Sequence, residues 1–299
     1  MALWHQLVPH LIVAPDWQNA KRRWARRAGH RIGKGMEDEL KALLQRVGLG
    51  LDQILTRKRF LQWQASDALT LRGAVARGFT APSINQRFGA NYGFTMVAPN
   101  PDLQPETSRS AELGADWRQG GVTLGATVFH IDTDNAIEWC GDWADACTFP
   151  LPAGFTNAYQ NIAGVTRRQG VELAASAELN DRLTLSGNYT LTHTRTPAGT
   201  QLTMIPRHVL NLSLDALLTE RLTGTLSARH VAGRANQQDW NAGVSREMPA
   251  YTVVNTSLRY AVNDHADVML RIDNVFDRQY QQVWGYGTPG RSYYVGVAA

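Results

Sequence analysis

From Gln64 to the C-terminus, apolar and polar positions alternate at period two in segment after segment. Leu183, Leu185, Gly187, Tyr189 and Leu191 alternate with Thr184, Ser186, Asn188, Thr190 and Thr192. Val171, Leu173, Ala175 and Ala177 alternate with Glu172, Ala174 and Ser176, and Leu210, Leu212 and Leu214 with Asn211, Ser213 and Asp215. Such a period predicts strands with one apolar face and one polar face. Ten are predicted, at about 66–78, 107–117, 122–138, 163–177, 182–194, 205–216, 221–231, 251–261, 266–274 and 291–298.

The joints between them alternate short and long. The short ones are Arg118–Gly121, Glu178–Asp181, Leu217–Glu220 and Val262–His265. The long ones are roughly Thr80–Pro105, Trp139–Ile162, Arg195–Met204, Val231–Pro249 and Phe276–Gly290. An antiparallel sheet in bulk water would show the same alternation of residues, but it has no reason to collect its tight turns at one end. An up-and-down barrel in the outer membrane does, with short periplasmic turns and long extracellular loops. The expected fold is therefore all-β: an antiparallel up-and-down transmembrane β-barrel fragment of about ten strands, its Thr-, Ser- and Asn-rich face on a wet lumen.

Composition agrees with a membrane crossed by strands. Apolar residues make up 43% of the 299, and no run approaches the roughly 18 apolar residues of a membrane-spanning helix. The net charge of +4 conceals a split. Residues 1–63 carry four lysines and eight arginines against five acids, whereas residues 64–299 carry 18 arginines, no lysine and 21 acids. The expected division is a basic segment, 1–63, and a barrel portion, 64–299. In the first, Met36, Leu40, Leu43, Leu44 and Val47 share one face of a helix at 36–47, with Glu37, Asp38 and Glu39 at its start and Gly48 at its end. Arg22, Arg23, Arg26, Arg27 and Arg31 cluster around Trp24 without a recognition motif, so no nucleic-acid partner is expected. Leu7–Ala14 is broken by Pro9 and His10, and its positive charges follow it, so no signal peptide is read there.

Cys140 and Cys147 both fall in the Trp139–Ile162 loop. A loop-closing disulfide in an oxidising compartment is the preferred reading, and two unlinked thiols the alternative. No histidine lies near them and the eight histidines are scattered, so neither a metal site nor a cofactor is expected.

Several segments carry a more specific signal. Arg77-Gly78-Phe79-Thr80-Ala81-Pro82-Ser83 precedes Asn100-Pro101-Asp102-Leu103-Gln104-Pro105-Glu106-Thr107-Ser108 and then Glu112-Leu113-Gly114. Gly170-Val171-Glu172, Pro206-Arg207-His208, Asn274-Val275-Phe276-Asp277-Arg278-Gln279-Tyr280 and Gly290-Arg291-Ser292-Tyr293-Tyr294-Val295-Gly296 follow in order. Together, from about Leu61 to Val297, they resemble the C-terminal barrel region of the TonB-dependent outer-membrane receptors. Asn100, Pro101, Asp102, Leu103, Pro105, Glu106, Asn274, Phe276, Gly290 and Arg291 read as makers of the fold. Pro101 and Pro105 hold the chain extended, Glu106 can accept backbone donors or an arginine or else be a solvated turn carboxylate, and Asn274 and Asp277 can cap a turn. Tyr251, Tyr260, Tyr280, Tyr293 and Tyr294 lie near strand ends, where an aromatic girdle belongs.

The resemblance implies an outer-membrane receptor for energy-coupled uptake of a scarce ligand such as a ferric siderophore or cobalamin. Its implied partners are outer-membrane lipid, that ligand and an energy-transducing periplasmic protein. Trp139, Trp143, Trp240, Trp284 and Tyr286 are candidate ligand contacts, weighed against a place in the girdle. Such receptors resemble barrels of about 22 strands around a plug. Neither the plug nor the segment that engages the energy-transducing partner is recognisable, so the expectation is the C-terminal part of a receptor joined to an unrelated leader. A non-functional gene remnant is the alternative. A ten-stranded outer-membrane enzyme built on His130, Asp132 and Asp134 has no nucleophile in support, and no catalytic residue is assigned.

Overall fold

The computed structural model describes residues 57–93, 95–142, 146–239 and 244–298. The helix expected at 36–47 and the basic cluster around Trp24 lie outside them. In chain order the elements are β1 (Arg57–Gln64), β2 (Leu69–Thr80), α1 (Ile84–Phe88), β3 (Ala90–Asn91), β4 (Met96–Val97), β5 (Glu106–Gln119), β6 (Val122–Asp134) and β7 (Ile137–Gly141). There follow β8 (Asn157–Asn161), β9 (Val165–Asn180), β10 (Leu183–Arg195), β11 (His208–Thr219), β12 (Leu222–Ala232) and β13 (Gln237–Asp239). The last are β14 (Val244–Arg246), β15 (Tyr251–Asn263), β16 (Ala266–Asp273) and β17 (Ser292–Ala298).

Eleven of these form one meandering sheet in the order β1-β2-β5-β6-β9-β10-β11-β12-β15-β16-β17, and every pair in it is antiparallel. Ten match the expected strands. The eleventh, β1, lies upstream of them: Arg57–Gln64 pairs along its whole length with β2. The shift in charge made this strand look like part of the basic segment. The sheet is open: among the described residues β1 pairs only with β2, and β17 only with β16. Two small sheets sit in the long loops. One runs β3-β4-β8-β7 and contains a single parallel bridge, Val97 with Asn157; the other is the β13–β14 hairpin.

Register makes each face continuous across the sheet. Leu61, Gly73, Leu113, Val128, Val171 and Leu191 stand opposite one another from β1 to β10. Leu185, Leu214, Leu226, Thr256, Ile272 and Tyr293 continue that face from β10 to β17. None of these side chains is buried, and Leu61 is 80% exposed, Leu113 66% and Tyr293 64%. A soluble sheet would cover such a face with a second layer; here the hydrocarbon of a bilayer does so. At the short-turn end the same face carries Trp63, Trp117 and Tyr260, in register with Leu71, Leu69 and Val268 respectively, as an interface girdle.

The opposite face is polar and hydrogen-bonded within itself. Arg72 donates from Nε to Asp116 Oδ2 at 2.8 Å and from Nη2 to Thr127 Oγ1 at 2.8 Å. Thr225 donates to Asp215 Oδ1 at 2.6 Å, and Arg229 donates to Asn211 Oδ1 at 3.0 Å. Where a glycine leaves a hole, a neighbour fills it: the Phe129 ring lies against Gly170, its cross-strand partner. Aromatic cover of a strand glycine replaces the side-chain contacts that glycine lacks.

Candidate functional site

The buried side chains gather at the long-loop end, in two clusters. The first comprises Ala98, Cys140 and Ala158, packed by Cys147, Phe149, Leu151 and Phe155. The structure joins Cys140 to Cys147 by a disulfide, with their Cα atoms 4.9 Å apart. Trp139 lies edge-on to Tyr159, ring centroids 5.2 Å apart, and donates from Nε1 to Asn157 Oδ1 at 3.0 Å. Burial, with Tyr92 beside it, pushes the Tyr159 phenol up from its usual range.

The Asn100–Glu106 motif ties this small sheet to the barrel. Asn100 Nδ2 donates to the Tyr159 carbonyl at 2.9 Å, and its Oδ1 accepts from the Asp102 amide at 3.2 Å. Arg87 Nη2 donates to the Pro101 carbonyl at 2.6 Å, and Leu103 is only 4% exposed. Glu106 Oε1 accepts from the Ile137 amide at 2.7 Å. Of the two partners expected for Glu106, the backbone is the one it finds.

The second cluster is Val231, Tyr251 and Val253, with Tyr280 packed against it. Tyr251 begins β15 on the lumen face, and the Tyr280 ring stacks on it at 4.4 Å between centroids. The strand-to-strand loop 274–291 folds inward to place Tyr280 there, and the Asn274 motif holds it. Asn274 Nδ2 donates to the Arg278 carbonyl at 3.0 Å, while Asn274 Oδ1 accepts from the Arg278 amide at 2.8 Å. The Arg291 amide donates to Asp277 Oδ1 at 2.8 Å. A Cβ on Gly290 would come within 2.6 Å of that oxygen, so the motif needs glycine at this place. Phe276, by contrast, is 74% exposed and takes no part in the packing.

Beside this cluster lies a cavity of about 320 Å³, lined by Arg234, Glu247, Tyr251, Arg278, Tyr280 and Trp284 among others, two arginines against one carboxylate. Arg234 spans it. Its Nη1 donates to the Gln281 carbonyl and its Nη2 to the Pro249 carbonyl, both at 2.6 Å, and its guanidinium lies 5.1 Å from the Tyr251 ring centroid. Burial lowers the Arg234 pKa, and the neighbouring Tyr251 acts against that. Among the described residues no carboxylate pairs with Arg234, and its buried Nε has no partner. The site therefore offers a positive charge and stacked rings to whatever enters the lumen from the loop side.

The expected contact residues fall in different places. Trp284 lines the cavity and lies 5.2 Å beneath the Arg246 guanidinium. Tyr286 is 74% exposed in the same loop, and Trp139 packs edge-on to Tyr159 in the β7–β8 pair. Trp143 and Trp240 lie outside the described residues. Arg234 and the Tyr251–Tyr280 stack were not among the expected contacts, since nothing in their sequence neighbourhood shows that distant loops converge on them. The girdle also differs from expectation. Tyr260 and Tyr293 face outward, but Tyr251 and Tyr280 pack inside, and Tyr294 lies 4.3 Å from the Arg271 guanidinium. His130 and Asp132 do meet at 3.1 Å, but on the outward face and with Arg167 on the same carboxylate at 3.0 Å, where no lumen substrate reaches them.

Comparison with known proteins agrees with this architecture. Residues 38–275 match the family described as TonB dependent receptor-like, beta-barrel. The Iron-regulated outer membrane virulence protein of Vibrio cholerae is 30% identical over 248 residues, covering 79% of this chain and 38% of that protein. The Vitamin B12 transporter BtuB of the same species is 24% identical over 292 residues, covering 96% and 41%. Among solved structures, the ferric enterobactin receptor PfeA of Pseudomonas aeruginosa superposes with a TM-score of 0.65 at 21% identity, covering 82% of this chain and 40% of that one. The chain thus spans about two-fifths of the length of the curated relatives it matches.

Proposed function

The chain belongs to the TonB-dependent receptor family, as part of its β-barrel, and from that premise we propose that it forms the loop-side wall of an outer-membrane receptor for a scarce, bulky ligand. The ligand class is a ferric siderophore or a similar chelate, and uptake by the whole receptor draws on a periplasmic energy-transducing partner. The role is transport rather than catalysis. One observation carries the choice of ligand class: Arg234, with no carboxylate partner among the described residues, held over Tyr251 at the lumen-side cavity, with Tyr280 stacked beneath. A guanidinium beside aromatic rings suits an anionic ligand that itself carries rings, and iron-loaded catecholates are such ligands.

The experiment is retention of iron-loaded enterobactin, and separately of cobalamin, by membranes carrying the protein. The expected result is selective retention of the iron chelate, weakened about tenfold or more in Arg234→Gln. Equal retention by the variant, or preference for cobalamin, would contradict the reading.

A further inference from the structure

Above the apolar band on the outward face, the register assembles a row of charges. Arg77 stands directly opposite Arg109, Arg109 opposite Asp132, Asp132 opposite Arg167, and Arg167 opposite Arg195. All four arginines are exposed. Asp132 is bonded to Arg167 and His130, while among the described residues no carboxylate pairs with Arg77, Arg109 or Arg195. Like charges directly opposite across a strand pair destabilise it, yet this happens twice in one row. Arg109 lies ten residues up β5 from its short-turn end at Gln119. At ~3.3 Å per residue and a tilt of ~40°, that is about 25 Å, the height of the apolar band.

Two hollows open in the outward face, the first just below this row and the second toward the short-turn end. One, of about 510 Å³, is lined by Leu113, Val128, Val171 and Leu191 with His130 and His193 at its upper edge. The next, of about 520 Å³, is floored by small residues such as Ala126, Ala175 and Gly187 between Trp117 and Tyr189. A soluble partner would have to lie in the hydrocarbon to reach them.

We propose that this face is a docking site for a phosphorylated, acylated lipid of the outer leaflet. Its phosphates sit at the two arginine pairs, Arg77 with Arg109 and Arg167 with Arg195, on either side of Asp132, and the acyl chains run down into the first hollow. Arginine forks match phosphate oxygens in geometry as well as charge. An anion also relieves the repulsion that the bare row carries. The site is separate from the Arg234 cavity, which opens on the opposite face.

The test is native mass spectrometry of the folded protein in a neutral detergent, titrated with diphosphoryl lipid A and with phosphatidylcholine. The wild type is expected to retain lipid A in preference to phosphatidylcholine and to keep it in excess inorganic phosphate. At ~1 kcal/mol for each arginine near a membrane surface, the R77Q/R109Q double variant should bind lipid A about thirtyfold more weakly. R77K/R109K should keep most of the binding and so control for folding. The lumen-face variant Arg229→Gln, which loses charge on the other side, should be unchanged. Wild-type binding by the double variant would overturn the proposal. So would an equal loss in Arg229→Gln, or displacement by inorganic phosphate, which would mark a free-anion site.

Discussion

Glu106 and Ile137, thirty-one residues apart, are joined by a 2.7 Å hydrogen bond from the Ile137 amide to Glu106 Oε1. It fastens the first residue of β5 to the first residue of β7, and so ties the disulfide-bearing loop sheet to the barrel rim. Replacing Glu106 with Ala leaves that amide without its acceptor, at a cost of about 1–3 kcal/mol. Limited proteolysis of the protein in membranes should then cut earlier between residues 135 and 164, with the barrel itself still intact. Glu106→Gln keeps an acceptor oxygen and should restore most of the protection. Equal cleavage in all three proteins would remove Glu106 from this role.

Gly170 should tolerate no side chain. A Cβ there would run into the Leu191 carbonyl and the Phe129 ring, where overpacking costs about 1–3 kcal/mol. Gly170→Ala is expected to lower the urea concentration at which the protein loses its heat-modifiable, folded band on gels. An unchanged midpoint would mean that β9 and β10 pair less closely than described.

The Cys140–Cys147 bridge closes a short loop, with a sequence separation of 7. By the chain-entropy estimate it stabilises by about 2–3 kcal/mol. Because it is anchored against Ala98 and Ala158, its reduction should loosen the loop sheet without unfolding the barrel. Peptide mapping without reductant should recover the two cysteines linked, and reduction should speed proteolysis between them. Full alkylation of both thiols in the unreduced protein would show that the bridge does not form.

The strands were legible because period-two alternation and turn length both report on a sheet that has lipid on one side and water on the other. Strands such as β10 and β15 fall within three residues of where the alternation puts them. β1 escaped because Lys58 and Arg59 continue the basic composition upstream, and charge masks the short Phe60-Leu61-Gln62-Trp63 alternation. The site was less legible. Loop residues meet partners far along the chain, as Arg234 does with Gln281 and Trp284 with Gln237, and no local period encodes such meetings. Tyr251 shows the limit most clearly: its position near a strand end suggested the girdle, but alternation from Thr252 turns it inward, under Tyr280.

The central claim is that this sheet spans a bilayer with its two faces in different solvents. A nitroxide scan of residues 183–192 in β10, in lipid bilayers, tests it most directly. Collisions with oxygen, which is concentrated in hydrocarbon, should peak at 185, 187, 189 and 191. Collisions with a water-soluble nickel complex should peak at 184, 186, 188 and 190. The faces follow from the register of Leu185 with Leu214 and Ser186 with Ser213. Uniform access to the nickel complex, or no alternation at period two, would contradict the account.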